Sequence, residues 1–145
     1  MRSLFGRLLL GKGTLPDAVR SELESEGVLF LGEGLSGSLR YTHFKAPGRR
    51  FHGKVTAERF GLGISNERLA LYCRSGAGEL IDSRFSAPNF GWVSVAVEKR
   101  GRLVLTIDYD RSDEDDVSGQ IAIHVLTPEA ERIAETLRSR LPVGG

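Results

Sequence analysis

Hydrophobic residues near the start of the chain recur at helical spacing. Leu15, Val19 and Leu23 are four residues apart and fall on one face of a helix. The stretch Thr14–Asp17 places a proline and an acid where the first turn of a helix accepts them, and Gly27 is a typical helix stop. The pattern predicts an N-terminal helix of about 10 residues.

Most of the remaining chain alternates between apolar and polar residues. This period of two is typical of β-strands that bury one face. Turn signals such as Pro47-Gly48 separate the alternating segments. The pattern predicts about seven antiparallel strands. Their apolar positions are Leu39, Tyr41 and His43; several residues within 51–65; Leu69, Leu71 and Cys73; Ile81 and Phe85; Val93, Val95 and Val97; Leu103, Leu105, Ile107 and Tyr109; and Ile121, Ile123 and Val125.

The last segment returns to helical spacing. Thr127-Pro128-Glu129 combines an N-cap residue, a proline suited to the first turn and an acid at the positive end of the helix dipole. The apolar stripe that follows consists of Ala130, Ile133, Ala134, Leu137 and Leu141. We therefore predict a mainly β (α+β) fold, in which a C-terminal amphipathic helix covers an antiparallel sheet and a short extra helix precedes it.

Length and composition narrow the class of protein. The 145 residues suit one domain, which we place at residues 14–145. Residues 1–13 hold only a short apolar run, which predicts either a loosely ordered segment or a small amphipathic turn at a membrane. The net charge of +1 gives no global attraction to nucleic acid, so nucleic acid is not expected as a partner. The single cysteine, Cys73, excludes an internal disulfide and favours a reducing, cytoplasmic location.

Residues 32–37 read Gly-Glu-Gly-Leu-Ser-Gly, the spacing of a dinucleotide-binding loop. Such a loop opens a helix, whereas residues 38–44 alternate as a strand does. Dinucleotide-binding folds also need an acid about 20 residues after the glycines. The acid at about this distance is Glu58, which lies within a strand-like run. We therefore expect no nucleotide cofactor. The glycines are expected to turn the chain from the first helix into the first long strand.

The sequence offers no matched acid–base pair for catalysis. The histidines, His43, His52 and His124, lack the spacing of metal ligands, and His124 lies in mid-strand, as a hydrogen-bonded structural histidine does. Asp82 and Ser83 are neighbours in one strand and point to opposite faces. We expect no enzyme activity, no catalytic residue, no cofactor and no metal site.

Three segments resemble bacterial pleckstrin-homology-like (PH-like) domains, including the GRAM-like group. They are GLGISNERLALYC at residues 61–73, RGRLVLTIDYD at 100–110 and IAIHVLTPEAERIAETL at 121–137. The first is similar to the family's LT-x-x-R-L hairpin, although Gly63-Ile64-Ser65 replaces the usual Leu-Thr. Over residues 28–141 the resemblance implies a seven-stranded antiparallel sandwich or barrel with a C-terminal capping helix. Members bind phosphoinositides, peptides or partner domains, so it implies a non-enzymatic interaction module.

Residues 40–54 contain five basic residues and no acid. In PH-like domains the loop between the first two strands supplies the cations that bind phosphate. The resemblance therefore implies an anionic headgroup site here, with His52 where the family's pattern has arginine. The candidate residues are Lys45, Arg49, Arg50 and Lys54.

An acidic loop opposes this interpretation. Residues 108–116 contain six acids and one arginine, a local charge of −5, and the resemblance places them at the same end of the fold. Carboxylates within about 8–10 Å would cancel much of the attraction for an anionic membrane. The loop begins like an EF-hand, but Asp113 and Gly119 stand where calcium binding needs glycine and glutamate. The alternatives are that the two loops are solvated, or that they pair with each other or with a partner.

Phe85, Phe90 and Trp92 are clustered in the sequence. If exposed, they would form a docking patch for a protein partner; if buried, they would fill the core. Our first expectation is a PH-like module that binds a protein partner or assembles as a homo-oligomer. The alternative is recognition of an anionic lipid headgroup at a membrane surface through the basic segment.

Overall fold

A computed structural model of the chain describes residues 14–73, 78–99, 101–112 and 116–141. The predicted N-terminal segment, residues 1–13, lies outside the described residues. Within them the fold is mainly β, with eight antiparallel strands, one α-helix before the strands and one after them. This confirms the predicted fold class. The strand beyond the expected number is a three-residue segment, Arg49–Phe51, that pairs with the end of the first strand.

In chain order the elements are α1 (Asp17–Glu26), β1 (Val28–Ala46), β2 (Arg49–Phe51), β3 (Val55–Ser65), β4 (Arg68–Cys73), β5 (Glu79–Arg84), β6 (Val93–Val97), β7 (Arg102–Asp108), β8 (Ser118–Leu126) and α2 (Ala130–Arg138). Two 3₁₀ turns, Pro88–Trp92 and Tyr109–Arg111, precede β6 and follow β7. The chain divides into two compact units. The first comprises the residues up to Ser36 together with Glu58–Ser86, and the second comprises Gly37–Ala57 and the residues from Ala87 onward.

The first unit contains α1, residues 28–36 of β1, residues 58–65 of β3, and β4 and β5. β3 pairs with β4 and β4 pairs with β5, both antiparallel. Leu15, Val19 and Leu23 form a buried cluster with Ala70 of β4, and Tyr72 packs against it. The helical spacing of these leucines and valine therefore predicted the face of α1 that packs on the sheet.

Gly63 allows α1 to lie close to β3. A Cβ atom at this position would collide with the Cδ1 atom of Leu23 and would lie 3.1 Å from the Cδ1 atom of Leu15. A side chain at this position would force the buried side chain of Leu23 to move.

The second unit contains residues 37–46 of β1 followed in the sheet by β8, β7 and β6, with β2 paired to the end of β1. α2 packs on β6 and β7. Its buried residues are Ala130, Ile133, Ala134 and Leu137. The helix begins at Ala130 with Glu129 as its N-cap, so the predicted N-cap at Thr127 is wrong. The hydroxyl of Thr127 accepts a hydrogen bond from the backbone N–H of Glu129 at 3.2 Å in the turn that precedes the helix. The helix ends at Arg138, before the last residue of the predicted stripe.

The glycine-rich stretch at residues 32–37 lies inside β1. The expectation that these glycines turn the chain is therefore wrong. The turn occurs earlier, at Gly27, which has a φ of 89° and donates its backbone N–H to the carbonyl of Glu24. One residue with positive φ is enough to end a helix, and Gly27 is that residue here. The strand therefore begins before residue 32.

Candidate functional site

The basic segment forms a β-hairpin in the second unit. The end of β1 and β2 are joined by a two-residue Pro-Gly turn, whose glycine has a φ of 73°. Phe44 pairs with Phe51 across the hairpin, and Lys45 pairs with Arg50. Neighbouring residues of a strand point to opposite faces. The two phenylalanines therefore lie on one face, and Lys45 and Arg50 lie on the other.

Four aromatic rings support the apolar face of this hairpin. The ring centroid of Tyr41 lies 5.4 Å from that of Phe44 and 5.0 Å from that of Phe51. Tyr109 packs against Phe44 with centroids 5.8 Å apart. Tilted and edge-on pairs at such distances add about 0.5–1.5 kcal/mol each beyond burial. The cluster fixes the hairpin to the rest of the second unit.

All four predicted headgroup residues, Lys45, Arg49, Arg50 and Lys54, are exposed. The ammonium of Lys54 lies 4.1 Å from the centre of the Phe51 ring, within the range of a cation–π interaction. Considering the described residues alone, none of the four cations forms an ion pair. The hairpin therefore presents positive charge to the solvent that no acid among the described residues pairs with.

A bulge in β1 adjoins the hairpin at His43. The pairing register with β8 shifts between Thr42 and Lys45, and His43 has a left-handed φ of 47°, which is uncommon for a residue with a side chain. Its backbone N–H donates to Nδ1 of His52 at 3.1 Å, and the two rings stack with centroids 4.1 Å apart. Because Nδ1 of His52 accepts this hydrogen bond, the neutral ring carries its proton on Nε2.

Gly119 of β8 supports the bulge from the opposite side. It is buried with a φ of 87°, and a Cβ atom there would overlap the carbonyl oxygen of His43. The carboxylate of Asp110 accepts a hydrogen bond from the N–H of Gly119 at 2.9 Å. Asp108 in turn accepts one from the N–H of Asp110 at 3.1 Å. Two acids of the acidic loop thus bind backbone groups that hold the bulge beside the hairpin.

The acidic loop and the basic hairpin are not joined by an ion pair between described residues. Asp108, Asp110 and Asp116 are the acids of this loop that the structure describes, and none lies within 4.0 Å of a hairpin cation. Residues 113–115 of the loop lie outside the described part of the chain. Within the described ranges, no three histidine, cysteine or acidic side chains are grouped so as to hold a metal ion.

The three aromatic residues of the predicted docking patch occupy different environments. Phe90 is only 1% exposed and fills the interior of the second unit. Trp92 belongs to the same unit and is half-buried. Phe85 is also half-buried, but it belongs to the first unit. Phe90 therefore contributes to packing, and Phe85 and Trp92 keep part of their surface accessible.

A buried ion-pair network lies in the first unit, and sequence reasoning missed it. The guanidinium of Arg68 donates to Asp82 at 2.8 Å, to Glu22 at 2.6 Å and to Glu26 at 3.3 Å. Ser65 donates its hydroxyl to Glu26 at 2.8 Å. The partners on α1 precede Arg68 by 42 and 46 residues, so no local motif marks them. The network links α1 to β3, β4 and β5.

The groups of this network satisfy one another. Burial raises the pKa of Glu26, but hydrogen bonds from Ser65 and Arg68 outweigh it, and the pKa lies below its ordinary value. Tyr72 donates its hydroxyl to Asp82 at 2.6 Å, and burial together with this bond to a carboxylate raises the pKa of Tyr72. These paired groups stabilise the packing of α1 on the sheet, and they leave few hydrogen-bonding groups of the network available to a ligand.

His124 is buried on β8, but at Nδ1 it lacks the hydrogen bond expected of a structural histidine. It is 6% exposed, and its Nδ1 atom has no hydrogen-bond partner among the described residues and lies 3.9 Å from the carboxylate of Glu98. Burial lowers the pKa of His124, and the positive charges of Arg40 and Arg102 lower it further against the opposing effect of Glu98. The imidazole is thus held neutral within the sheet.

Neither of the two described α-helices is long and apolar enough to cross a membrane. Comparison of the chain with protein-family models, with curated proteins and with solved structures gives no match.

Proposed function

We propose that this chain is a non-enzymatic PH-like binding module whose β1–β2 hairpin binds an anionic lipid headgroup at a membrane surface. The observation that carries the proposal is the cross-strand pair formed by Lys45 and Arg50. Like charges directly opposite each other destabilise a pair of strands, by up to about 1 kcal/mol. Among the described residues no acid pairs with either cation, and an anionic headgroup would remove the repulsion.

The hairpin is ordered before any ligand arrives. The aromatic cluster holds its apolar face, and the bulge at His43 is held between His52 and Gly119. A site that is already ordered loses little conformational freedom on binding, so more of the interaction energy appears as affinity. Lys45 and Arg50 share one face of the hairpin, where a compact charge beside a planar group of donors suits the oxygens of a phosphate.

Apolar groups beside the cations favour a headgroup in a membrane over a free anion. The tip of the hairpin, residues 46–48, carries no charge, and Val55 next to Lys54 is 57% exposed. Apolar residues interspersed with cations suit the boundary between headgroups and acyl chains. Each lysine or arginine near an anionic leaflet contributes about 1 kcal/mol. Four such residues amount to about 4 kcal/mol, or roughly a thousandfold in partitioning.

Sedimentation with vesicles tests the proposal. The protein is expected to bind vesicles of phosphatidylglycerol mixed with phosphatidylcholine, to bind less as salt is raised, and to ignore vesicles of phosphatidylcholine alone. The double variant Lys45→Glu plus Arg50→Glu should lose this binding. The control variant Arg132→Glu plus Arg138→Glu makes the same change in net charge on the exposed residues of α2 and should bind nearly as the wild type does. Equal binding by the two variants, or equal binding to neutral vesicles, would contradict the proposal.

The expectation of a protein partner or of self-association stays a prediction, as does a cytoplasmic location. Phe85 and Trp92 remain the candidate contacts for such a partner because both are half-buried. A molecular mass that rises with protein concentration, without affinity for anionic vesicles, would favour self-association over headgroup binding.

A further inference from the structure

We infer that His43 and His52 belong to the same headgroup site and that binding of the headgroup takes up a proton at this pair. The inference rests on the function proposed above. Both histidines are exposed, and they flank the cross-strand pair of Lys45 and Arg50 in the sequence of the hairpin. A protonated imidazole would add a further cation beside those already present.

The contacts of the pair are those of neutral rings. Nδ1 of His52 accepts a hydrogen bond from the backbone N–H of His43, and an accepting nitrogen carries no proton. A proton added at Nδ1 turns this acceptor into a donor and breaks the bond. The rings stack at 4.1 Å, so a charge on each would bring two like charges together. A headgroup oxygen would give the new N–H an acceptor and would reduce the repulsion between the rings.

The described charged side chains of the same hairpin are cations. They are Lys45 of β1, Arg49 and Arg50 of β2 and Lys54 just after β2. From the connection between β7 and β8, the carboxylate of Asp110 is engaged by the N–H of Gly119, the residue that packs on the His43 carbonyl. A bound anion offsets the cations. Proton uptake and anion binding therefore favour each other, and this coupling is reciprocal.

The coupling predicts that affinity for anionic lipid rises as pH falls. Imidazole is the side chain whose charge ordinarily changes between about pH 5 and 8. One added cation at an anionic surface strengthens binding about fivefold, and two strengthen it up to about 25-fold. The wild-type protein is expected to gain affinity by a factor in this range between pH 8 and pH 5.5.

Vesicles that contain phosphatidylglycerol are the appropriate probe, because a phosphodiester keeps its charge over this pH range. The informative variant is His43→Asn plus His52→Asn. Asparagine tolerates the left-handed backbone at residue 43, and at residue 52 its Oδ1 occupies the place of Nδ1 as an acceptor that does not titrate. In this variant the ratio of binding at pH 5.5 to binding at pH 8 should be about one, whatever its affinity at pH 8.

Two results would overturn the inference and leave the proposed function standing. One is wild-type binding that is independent of pH, and the other is a gain at low pH that persists in the double asparagine variant. Absence of vesicle binding at both pH values would overturn the proposed function and the inference with it. Calorimetry of the wild-type protein in two buffers of different ionisation enthalpy counts the protons directly and needs no variant. Zero protons taken up at pH 6.5 would contradict the inference.

Discussion

Replacement of Arg68 by methionine removes the cation at the centre of the buried network in the first unit. The Arg68 side chain is 11% exposed, and those of Glu26 and Asp82 are 10% and 14% exposed. Methionine fills part of the space of the aliphatic stem but supplies none of the donors. Both carboxylates then lose their cation while they stay shielded from water.

The expected loss of stability follows from this burial. Removal of one partner from a buried ion pair costs about 3–5 kcal/mol, because the other charge is left uncompensated. Glu22 is 57% exposed, so water replaces its lost contact and adds little to the cost. A small domain has a total stability of about 5–15 kcal/mol. We therefore expect Arg68→Met to lose about 3–5 kcal/mol at pH 7, a large share of the total.

The loss of stability in Arg68→Met depends on pH, and the titration of Glu26 determines whether it grows or shrinks as pH falls. In the wild-type protein, burial raises the pKa of Glu26, but the hydrogen bonds from Ser65 and Arg68 place it below the ordinary value of 4.5. A lowered pKa contributes stability above the pKa of the unfolded chain, and this stability disappears as pH falls through the folded-state pKa. Without Arg68 the buried carboxyl protonates more easily. The deficit of the variant should therefore shrink below about pH 4.5.

Urea unfolding monitored by circular dichroism at pH 7 and pH 4 measures both effects. Arg84→Met is the matched control, because Arg84 is 56% exposed and lies 4.0 Å from Glu26. The control should lose less than about 1 kcal/mol. The reasoning fails if the two variants lose similar amounts at pH 7. It also fails if the deficit of Arg68→Met is as large at pH 4 as at pH 7.

Three further predictions concern single positions. Gly119→Ala should lose about 2–5 kcal/mol of unfolding free energy, because residue 119 combines a positive φ with a steric overlap for any Cβ atom. Gly53→Ala is the control: residue 53 has a φ of 73° but open space around it, so the variant should lose only about 1 kcal/mol. Equal shifts of the two variants in thermal unfolding would contradict this. Gly63→Ala should lose about 1–3 kcal/mol and speed hydrogen exchange in α1, and unchanged exchange there would count against the packing argument. Tyr72→Phe should lose about 1–3 kcal/mol in urea unfolding, because the carboxylate of Asp82 loses a donor; no loss would show that water replaces it.

The sequence predicted the elements whose signals are local. The spacing of Leu15, Val19 and Leu23 identified the buried face of α1, and the stripe from Ala130 to Leu137 identified that of α2. The strand alternation predicted for residues 38–44 agrees with their place inside β1, whereas residues 32–37, which were expected to turn the chain, lie in the same strand. These features depend on residues a few positions apart, so periodicity is sufficient to find them.

The bulge at His43 was not predictable from alternation. Strict alternation would place Leu39, Tyr41 and His43 on one face of the strand. The extra residue in β1 shifts the alternation, so that Phe44 is buried and His43 is exposed. The shift depends on Gly119, which is far away in the chain. The contact between the two histidine rings depends on the same bulge. Long-range packing thus decided which side chains surround the candidate site.

Backbone amide NMR during titration with bicelles that contain phosphatidylglycerol tests the central claim most directly. Headgroup binding by the hairpin predicts that the largest shift changes fall on residues 43–54 and grow with the fraction of anionic lipid. Changes concentrated elsewhere in the chain, or equal changes with bicelles of phosphatidylcholine alone, would contradict the account.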